Sequence, residues 1–335
     1  MRSTPSRLVV ATATLLSLSL VITACGSGTV DVTSTTPEPS TAAPAPAPEA
    51  AVDRAEGFPL VDLEVYGRTL TLESRPERIV SLSPSSTEGL FAIGAGPQVI
   101  AADEYSDHPA EAPTTDLSGF TPNVEAIVAY DPDLVIVSYD PGDLVASLEA
   151  TGVPVLILDA AVTVDDVLAQ LGVLGTVTGN ADAAQDLIRS LEDRIGEAVS
   201  GTPMLDKPLT YLHVLDDTLF TVTSSTFVGS VYGLFGLENV ADAADPDGEA
   251  FGYPQLSAEY VLESDPDLVF LTSGSAASFA ELPALGSLRA VDEGNVIELL
   301  PDVPSRWGPR IVDFIEQVAE AVTRLAAAGA LALAP

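Results

Sequence analysis

One stretch of this chain occurs twice. Glu125-Ala-Ile-Val-Ala-Tyr-Asp131-Pro132-Asp133-Leu134-Val135 recurs as Glu259-Tyr-Val-Leu-Glu-Ser-Asp265-Pro266-Asp267-Leu268-Val269. Each copy reads as a short helix, an Asp-Pro turn and a buried strand. A weaker echo pairs Ser85-Ser86-Thr87 with Ser224-Ser225-Thr226, each triplet expected to open a helix that ends near a glycine. The same unit at two distant places constrains the chain to two lobes of related topology, roughly 58–165 and 205–300. Strands alternating with helices make parallel sheets.

Other elements fit this frame. Leu60 to Leu72 alternates around Tyr66-Gly67-Arg68 and predicts a β-hairpin. Arg78–Leu82, Val99–Ala102, Leu134–Ser138 and Val155–Leu158 are short apolar runs expected as strands, with a turn at Ser83–Ser86 and a helix from Thr87 to Ile93. Val164–Thr178 reads as a helix broken at Gly179-Asn180. Asp182–Val199 then has Leu187, Ile188, Leu191, Ile195 and Val199 on one face. A helix of that length spans about 25 Å, enough to join the lobes as a stiff strut. A last helix, Pro309–Ala327, is expected to pack back on the second lobe. The expected fold is α/β: two Rossmann-like lobes with mostly parallel sheets, joined by one long backbone helix, with a ligand cleft between them. The boundaries are a first lobe at 58–165, a helical region at 166–204 and a second lobe with the final helix at 205–335.

Lys and Arg total 13 against 49 Asp and Glu, a formal charge of -36. Such a surface repels phosphate backbones and excludes nucleic acid as a natural partner. A single cysteine forbids an intrachain disulfide, and two histidines argue against a His-built metal site. Residues 1–24 have Arg2 and Arg7 ahead of a diluted apolar run, then Ile22-Thr23-Ala24-Cys25. This pattern resembles a bacterial lipobox, with Cys25 the lipidated residue of the mature protein. Two acyl chains would hold the protein stably on the outer face of the cell membrane. The apolar run is shorter than the ~20 residues a membrane span needs. Residues 25–57 continue in Thr, Pro, Ala and Ser, a solvated tether.

Arg78-Ile-Val-Ser-Leu-Ser-Pro-Ser-Ser-Thr-Glu88, Tyr105-Ser106-Asp107-His108-Pro109, and Glu125 with Asp131-Pro132-Asp133-Leu134-Val135 occur in that order. Together they resemble the helical-backbone class of ABC-transporter solute-binding proteins, which carries vitamin B12, ferric siderophores and haem. The resemblance spans nearly all of residues 75–325. It implies a receptor with no intrinsic cofactor, whose metal arrives inside the bound chelate. It also implies a monomer that serves a permease dimer with a separate ATPase. In the corrinoid carriers of the family, aromatic rings from both lobes line the cleft, beside an Asp and an Arg. The resemblance carries these roles to Tyr105, Phe120, Phe220 and Tyr253, and to Asp302 and Arg306. A tryptophan expected after the first Asp-Leu-Val strand is replaced near Ser138-Tyr139, and a phenylalanine expected on the first strand of the second lobe is replaced near Val214.

Arg306 and Arg310 are two of 12 arginines in an acidic chain. Arg306 is expected on the ligand, with an ion pair to Asp302 or Asp313 as the alternative; Arg310 is expected to be structural. Glu125 and Glu259 hold equivalent places in the repeat. The helix dipole favours an acid there, and in the resembled family one Glu per lobe docks on the permease. Glu88 is expected to help cap its helix. His108 and His213 are expected to be structural, and Trp307 to flank the cleft or pack beneath it. No nucleophile elbow, P-loop or His-Glu-x-x-His motif is present, which leaves a hydrolase with no identifiable nucleophile and base; the resemblance implies a receptor for a corrinoid or a ferric siderophore and not an enzyme, with a haem or other iron-chelate binder as the alternative and a surface enzyme acting on a chelate or cell-wall polymer as the lower one.

Overall fold

The computed structural model describes residues 57–204, 207–300 and 302–332. The signal segment 1–24, Cys25 and the tether up to residue 56 lie outside the described residues. β1 (Leu60–Val65) and β2 (Arg68–Leu72) form an antiparallel hairpin with Val65 opposite Arg68. Tyr66 and Gly67 have φ of 47° and 76°. This left-handed pair matches the twist of the strands it joins. Val65, Leu70 and Leu72 bury into the core of the first lobe.

That lobe runs β3 (Ile79–Leu82), α1 (Pro84–Ala92), β4 (Val99–Ala102), α2 (Val124–Val128), β5 (Leu134–Val137), α3 (Leu144–Glu149) and β6 (Val155–Ile157). Two helices follow, α4 (Val164–Thr178) and α5 (Ala181–Gly201). The second lobe runs β7 (Thr210–Val214), α6 (Phe227–Gly233), β8 (Glu238–Asn239), α7 (Ala258–Ser264), β9 (Leu268–Leu271), α8 (Ala276–Ala280), α9 (Arg289–Asp292) and β10 (Val296–Glu298). α10 (Ile311–Ala332) closes the chain. The sheets are ordered β4-β3-β5-β6 and β10-β9-β7-β8, and every pairing in them is parallel. In each lobe the first strand lies between the second and third, and the fourth lies beyond the third. The sequence repeat is thus a repeat of topology.

Side-chain alternation fills both faces of each sheet. Leu134 and Ile136 face Leu90 and Leu171, while Val135 and Val137 face Ile127 and Leu148. In the second lobe Leu268 and Phe270 face Val228 and Phe314, and Val269 and Leu271 face Val261 and Phe279. Burial on both faces explains why these strands are continuously apolar.

The Asp-Pro-Asp motif ties its own strand to the neighbouring one. Asp133 accepts hydrogen bonds from the Glu77 and Arg78 amides at 2.8 and 3.0 Å, just where β3 enters the sheet. Asp267 does the same for β7, accepting from the Thr210 amide and hydroxyl at 2.9 and 3.0 Å. Asp131 and Asp265 take left-handed backbone conformations, with φ of 51° and 37°. An arginine grips the carbonyl of each: Arg78 Nε donates to Asp131 O at 2.7 Å, and Arg289 Nη2 to Asp265 O at 3.2 Å.

Gly179 ends α4 at φ 70°, a conformation glycine adopts without a Cβ penalty. α5 is the long helix between lobes: Ala184 and Leu191 bury in the first-lobe core, and Ala198 packs on the second. α4 crosses as well. Its Val164 and Val167 belong to the second-lobe core, and its Leu171, Leu174 and Val177 to the first. The connection is therefore braced twice. α10 buries Ile311, Phe314, Ile315 and Val318 in the second lobe, as expected, and Val312 in the first-lobe cluster. Among the described residues no helix is long and apolar enough to cross a membrane.

One expected boundary moves. The turn drawn at Ser83–Ser86 is the first turn of α1. Pro84 stands where a missing N–H costs nothing, and the Ser83 side chain accepts from the Ser86 amide. Glu88 therefore sits inside the helix rather than at its cap.

His213 is fully buried on β7, with Nδ1 2.8 Å from Tyr232 Oη and Nε2 2.7 Å from Thr272 Oγ1. Its role is structural, as expected. Burial lowers its pKa to about 3. Below about pH 6.5 the unfolded imidazole takes a proton that the folded one refuses. Stability should then fall by up to about 1.4 kcal/mol per pH unit as pH drops from 6.5 toward 3. Urea titrations at pH 7, 6 and 5 should show this loss, and His213→Asn should flatten it. A wild-type midpoint constant from pH 7 to 5 would contradict the assignment.

Candidate ligand cleft

A cavity of about 590 Å³ opens at the carboxyl ends of the first-lobe strands. That is where open α/β sheets offer their loops to ligands. One wall is aromatic. Tyr105 lies in the loop after β4, Phe120 further along it, and Tyr139 just past β5. The Tyr105 and Phe120 ring centroids are 5.8 Å apart, edge to face, and those of Phe120 and Tyr139 are 6.4 Å apart. The rings remain 51%, 67% and 41% exposed, so their apolar faces are open to a ligand. The opposite wall comes from the segment between β10 and α10: Asp302, Ser305, Arg306 and Trp307.

Local bonds hold the aromatic loops. Ser106 Oγ is 2.9 Å from Thr87 Oγ1 on α1 and donates to Asp103 at 2.7 Å. Ser118 Oγ accepts from the Phe120 and Thr121 amides, both at 3.3 Å, which turns the chain and presents the Phe120 ring. Arg306 reaches across the cleft: its guanidinium donates to Tyr105 O at 3.1 Å and Asp107 Oδ1 at 3.0 Å.

Arg306 is also 3.3 Å from Glu88 Oε1. Arg310 takes the same carboxylate at 2.9 and 2.5 Å, which raises its pKa. The Glu88 side chain is only 1% exposed, so it is a buried anion shared by two arginines. This corrects the expected capping role of Glu88 and agrees with a structural Arg310. The alternative pairing for Arg306 divides: Asp302 lies 3.8 Å away, whereas Asp313 pairs with Arg194 at 3.0 Å.

The cavity thus gathers four of the six expected ligand residues: Tyr105, Phe120, Asp302 and Arg306. Phe220 and Tyr253 lie outside its wall. They sit on the second lobe, where 219–223 pairs with 252–256 through bonds such as Thr221 N to Pro254 O at 3.0 Å. This ladder follows the carboxyl end of β7, and both rings are exposed, at 40% and 47%. Trp307 both borders the cavity and packs on the second-lobe core. Sequence reading missed Tyr139 as a wall residue, although its place directly after a buried strand marks it. Glu125 and Glu259 are exposed near the start of α2 and α7, away from the cavity wall. Asn123 and Ser257 cap those two helices.

Two α/β lobes of matching topology, braced by crossing helices around an aromatic cleft, define a solute-binding protein. The chain belongs to the periplasmic binding protein family, whose model matches residues 79–303. A cobalamin-binding protein of Halobacterium salinarum is 31% identical over 286 residues, covering 81% of this chain and 76% of that protein. An uncharacterized ABC transporter substrate-binding lipoprotein of Bacillus subtilis is 24% identical over 282 residues, covering 81% and 88%. The crystal structure of the periplasmic vitamin B12-binding protein BtuF of Vibrio cholerae is similar, with a TM-score of 0.63 and 27% identity over 75% of this chain and 98% of that one.

Proposed function

We propose that this protein is the lipid-anchored receptor of an ABC importer, and that it takes a corrinoid into the Tyr105 cleft. One observation carries the choice of ligand. The wall is a run of open aromatic rings, and the cleft's arginine is already held by Glu88, Asp107 and Tyr105 O. An anionic ferric catecholate needs an uncommitted cation. A corrinoid has broad apolar faces for the rings and a rim of amides that hydrogen-bond to the exposed carboxylate of Asp302. The relatives named for cobalamin and vitamin B12 support the same choice.

The doubly braced connection favours modest closure rather than wide opening. Glu125 and Glu259 then dock on the permease pair, and a separate ATPase supplies the energy. No turnover of the ligand is part of this reading. Cys25 carries the two acyl chains that keep the receptor beside its permease. Cys25→Ala should release the protein from the membrane fraction, and full retention would refute the anchor.

Trp307 is the chain's only tryptophan. Because it borders the cavity, its fluorescence reports on occupancy. Titrating the purified protein with cyanocobalamin should give saturable quenching, with calorimetry as a readout free of inner-filter effects. Ferric hydroxamate, ferric catecholate and haem should give none. Binding of one of these in place of cobalamin would reassign the ligand.

A further inference from the structure

The second lobe carries an exposed aromatic that its own fold does not use. Phe251 is 89% exposed, and its φ of 53° is a left-handed conformation that a bulky side chain rarely adopts. The conformation is built, not loose. The Asp245 carboxylate accepts from the amides just before and just after Phe251, those of Ala250 and Gly252, both at 2.9 Å. Gly252 backs onto the start of α6, where a β-carbon would stand 2.7 Å from Thr226 Cγ2. Backbone strain that the surroundings enforce is a pointer to function.

Exposure alternates strictly from Phe251 to Leu256, so Phe251, Tyr253 and Gln255 share the outward face of that segment. Phe220 is paired with Gln255 across the ladder, and residues directly opposite share a face. Three open rings therefore stand on one surface beyond the carboxyl end of β7. The repeat shows what this surface matches. The loop after β4 carries Tyr105 and Phe120 and leads into α2, and the loop after β8 carries Phe251 and Tyr253 and leads into α7. In the first lobe Ser106, next to Tyr105, meets Thr87 of α1 at 2.9 Å. In the second, Gly252, next to Phe251, abuts Thr226 at the start of α6. Phe251 thus holds the place in its lobe that Tyr105 holds in the cleft wall.

We propose that Phe251 is a ligand-contacting residue of the second lobe, held ready by Asp245 to cover the corrinoid face opposite the Tyr105 wall. This rests on the corrinoid reading and adds to it a preorganised contact that the fold keeps under strain.

Calorimetric titration with cyanocobalamin, run beside thermal unfolding, tests it. Phe251→Asn removes the ring but suits the left-handed backbone. Affinity should fall at least tenfold, the loss of a well-stacked ring, while the thermal midpoint stays level or rises. Phe251→Tyr keeps the ring and should bind within threefold of wild type. A ring that served only its own loop would give the reverse, a lower midpoint with unchanged affinity. Phe251→Asn affinity within twofold of wild type would overturn the inference, and lost uptake by the reconstituted transporter beside that affinity would place the ring on the permease instead. Failure of the wild type to bind cyanocobalamin at all would sink the corrinoid reading, and this inference with it.

Discussion

Glu88→Ala should lower the unfolding free energy by about 3 kcal/mol, the scale expected when one partner of a buried ion pair is removed. The carboxylate lies between Arg306 and Arg310, whose side chains are 12% and 27% exposed. The two arginines lose unequally. Arg306 keeps Asp107 and Tyr105 O as acceptors. Among the described residues Glu88 supplies both side-chain bonds of Arg310, so Arg310 is left partly buried and unpaired. Most of the cost therefore falls on Arg310. Adding Arg310→Met to Glu88→Ala should recover part of the loss, giving a coupling above about 1 kcal/mol in a double-mutant cycle. Urea titration reads both numbers. A loss below 1 kcal/mol for Glu88→Ala, or strict additivity, would mean that the pair is not the clamp its geometry indicates.

The clamp has a second consequence. Glu88 is on α1 of the first lobe, whereas Arg306 and Arg310 precede α10. Together with the Arg194 contacts to Asp313 and Glu316, at 3.0 and 2.8 Å, it ties the entry of the last helix to the first lobe and to α5. Arg306 is thus held at the cleft before any ligand arrives. This favours a preorganised wall, which limits the ordering cost of binding.

The parts of this fold that could be read from sequence are those set by near neighbours in the chain. The two Asp-Pro-Asp motifs were legible as turns, a local task; the strand that each one pins, at Arg78 or Thr210, lies 55 or 57 positions away in the chain, and that bond was not legible. The break at Gly179 was legible because a left-handed helix end favours glycine. Glu88 was misread because Ser-Ser-Thr-Glu imitates a cap, while Pro84 had already started the helix; its partners lie more than 200 positions away. Tyr105, Phe120, Asp302 and Arg306 came from family resemblance, and the structure gathers them around one cavity. Resemblance treated Tyr139 as a departure, yet its ring completes the aromatic run.

Glu125→Ala and Glu259→Ala should each cut ligand uptake by more than tenfold, and together should abolish it, while ligand affinity and stability hardly change. Both carboxylates are exposed near the start of short helices that already have side-chain caps. Among the described residues neither carboxylate accepts a hydrogen bond or joins an ion pair. What each lends its own fold is a favourable interaction with the helix dipole, about 0.3–1 kcal/mol. A charge desolvated against an arginine in a protein interface is worth more, and losing one such partner costs about 2–5 kcal/mol. That gap separates docking from fold support: a thirtyfold or larger transport defect can accompany a stability loss below 1 kcal/mol. The topological repeat strengthens the case, because two equivalent glutamates, one per lobe, are what a two-fold permease would engage. Uptake by the reconstituted transporter, measured beside calorimetric ligand affinity and urea stability for the same variants, separates the cases. Reduced affinity would move these residues into ligand binding. Normal uptake by the double variant would remove them from docking.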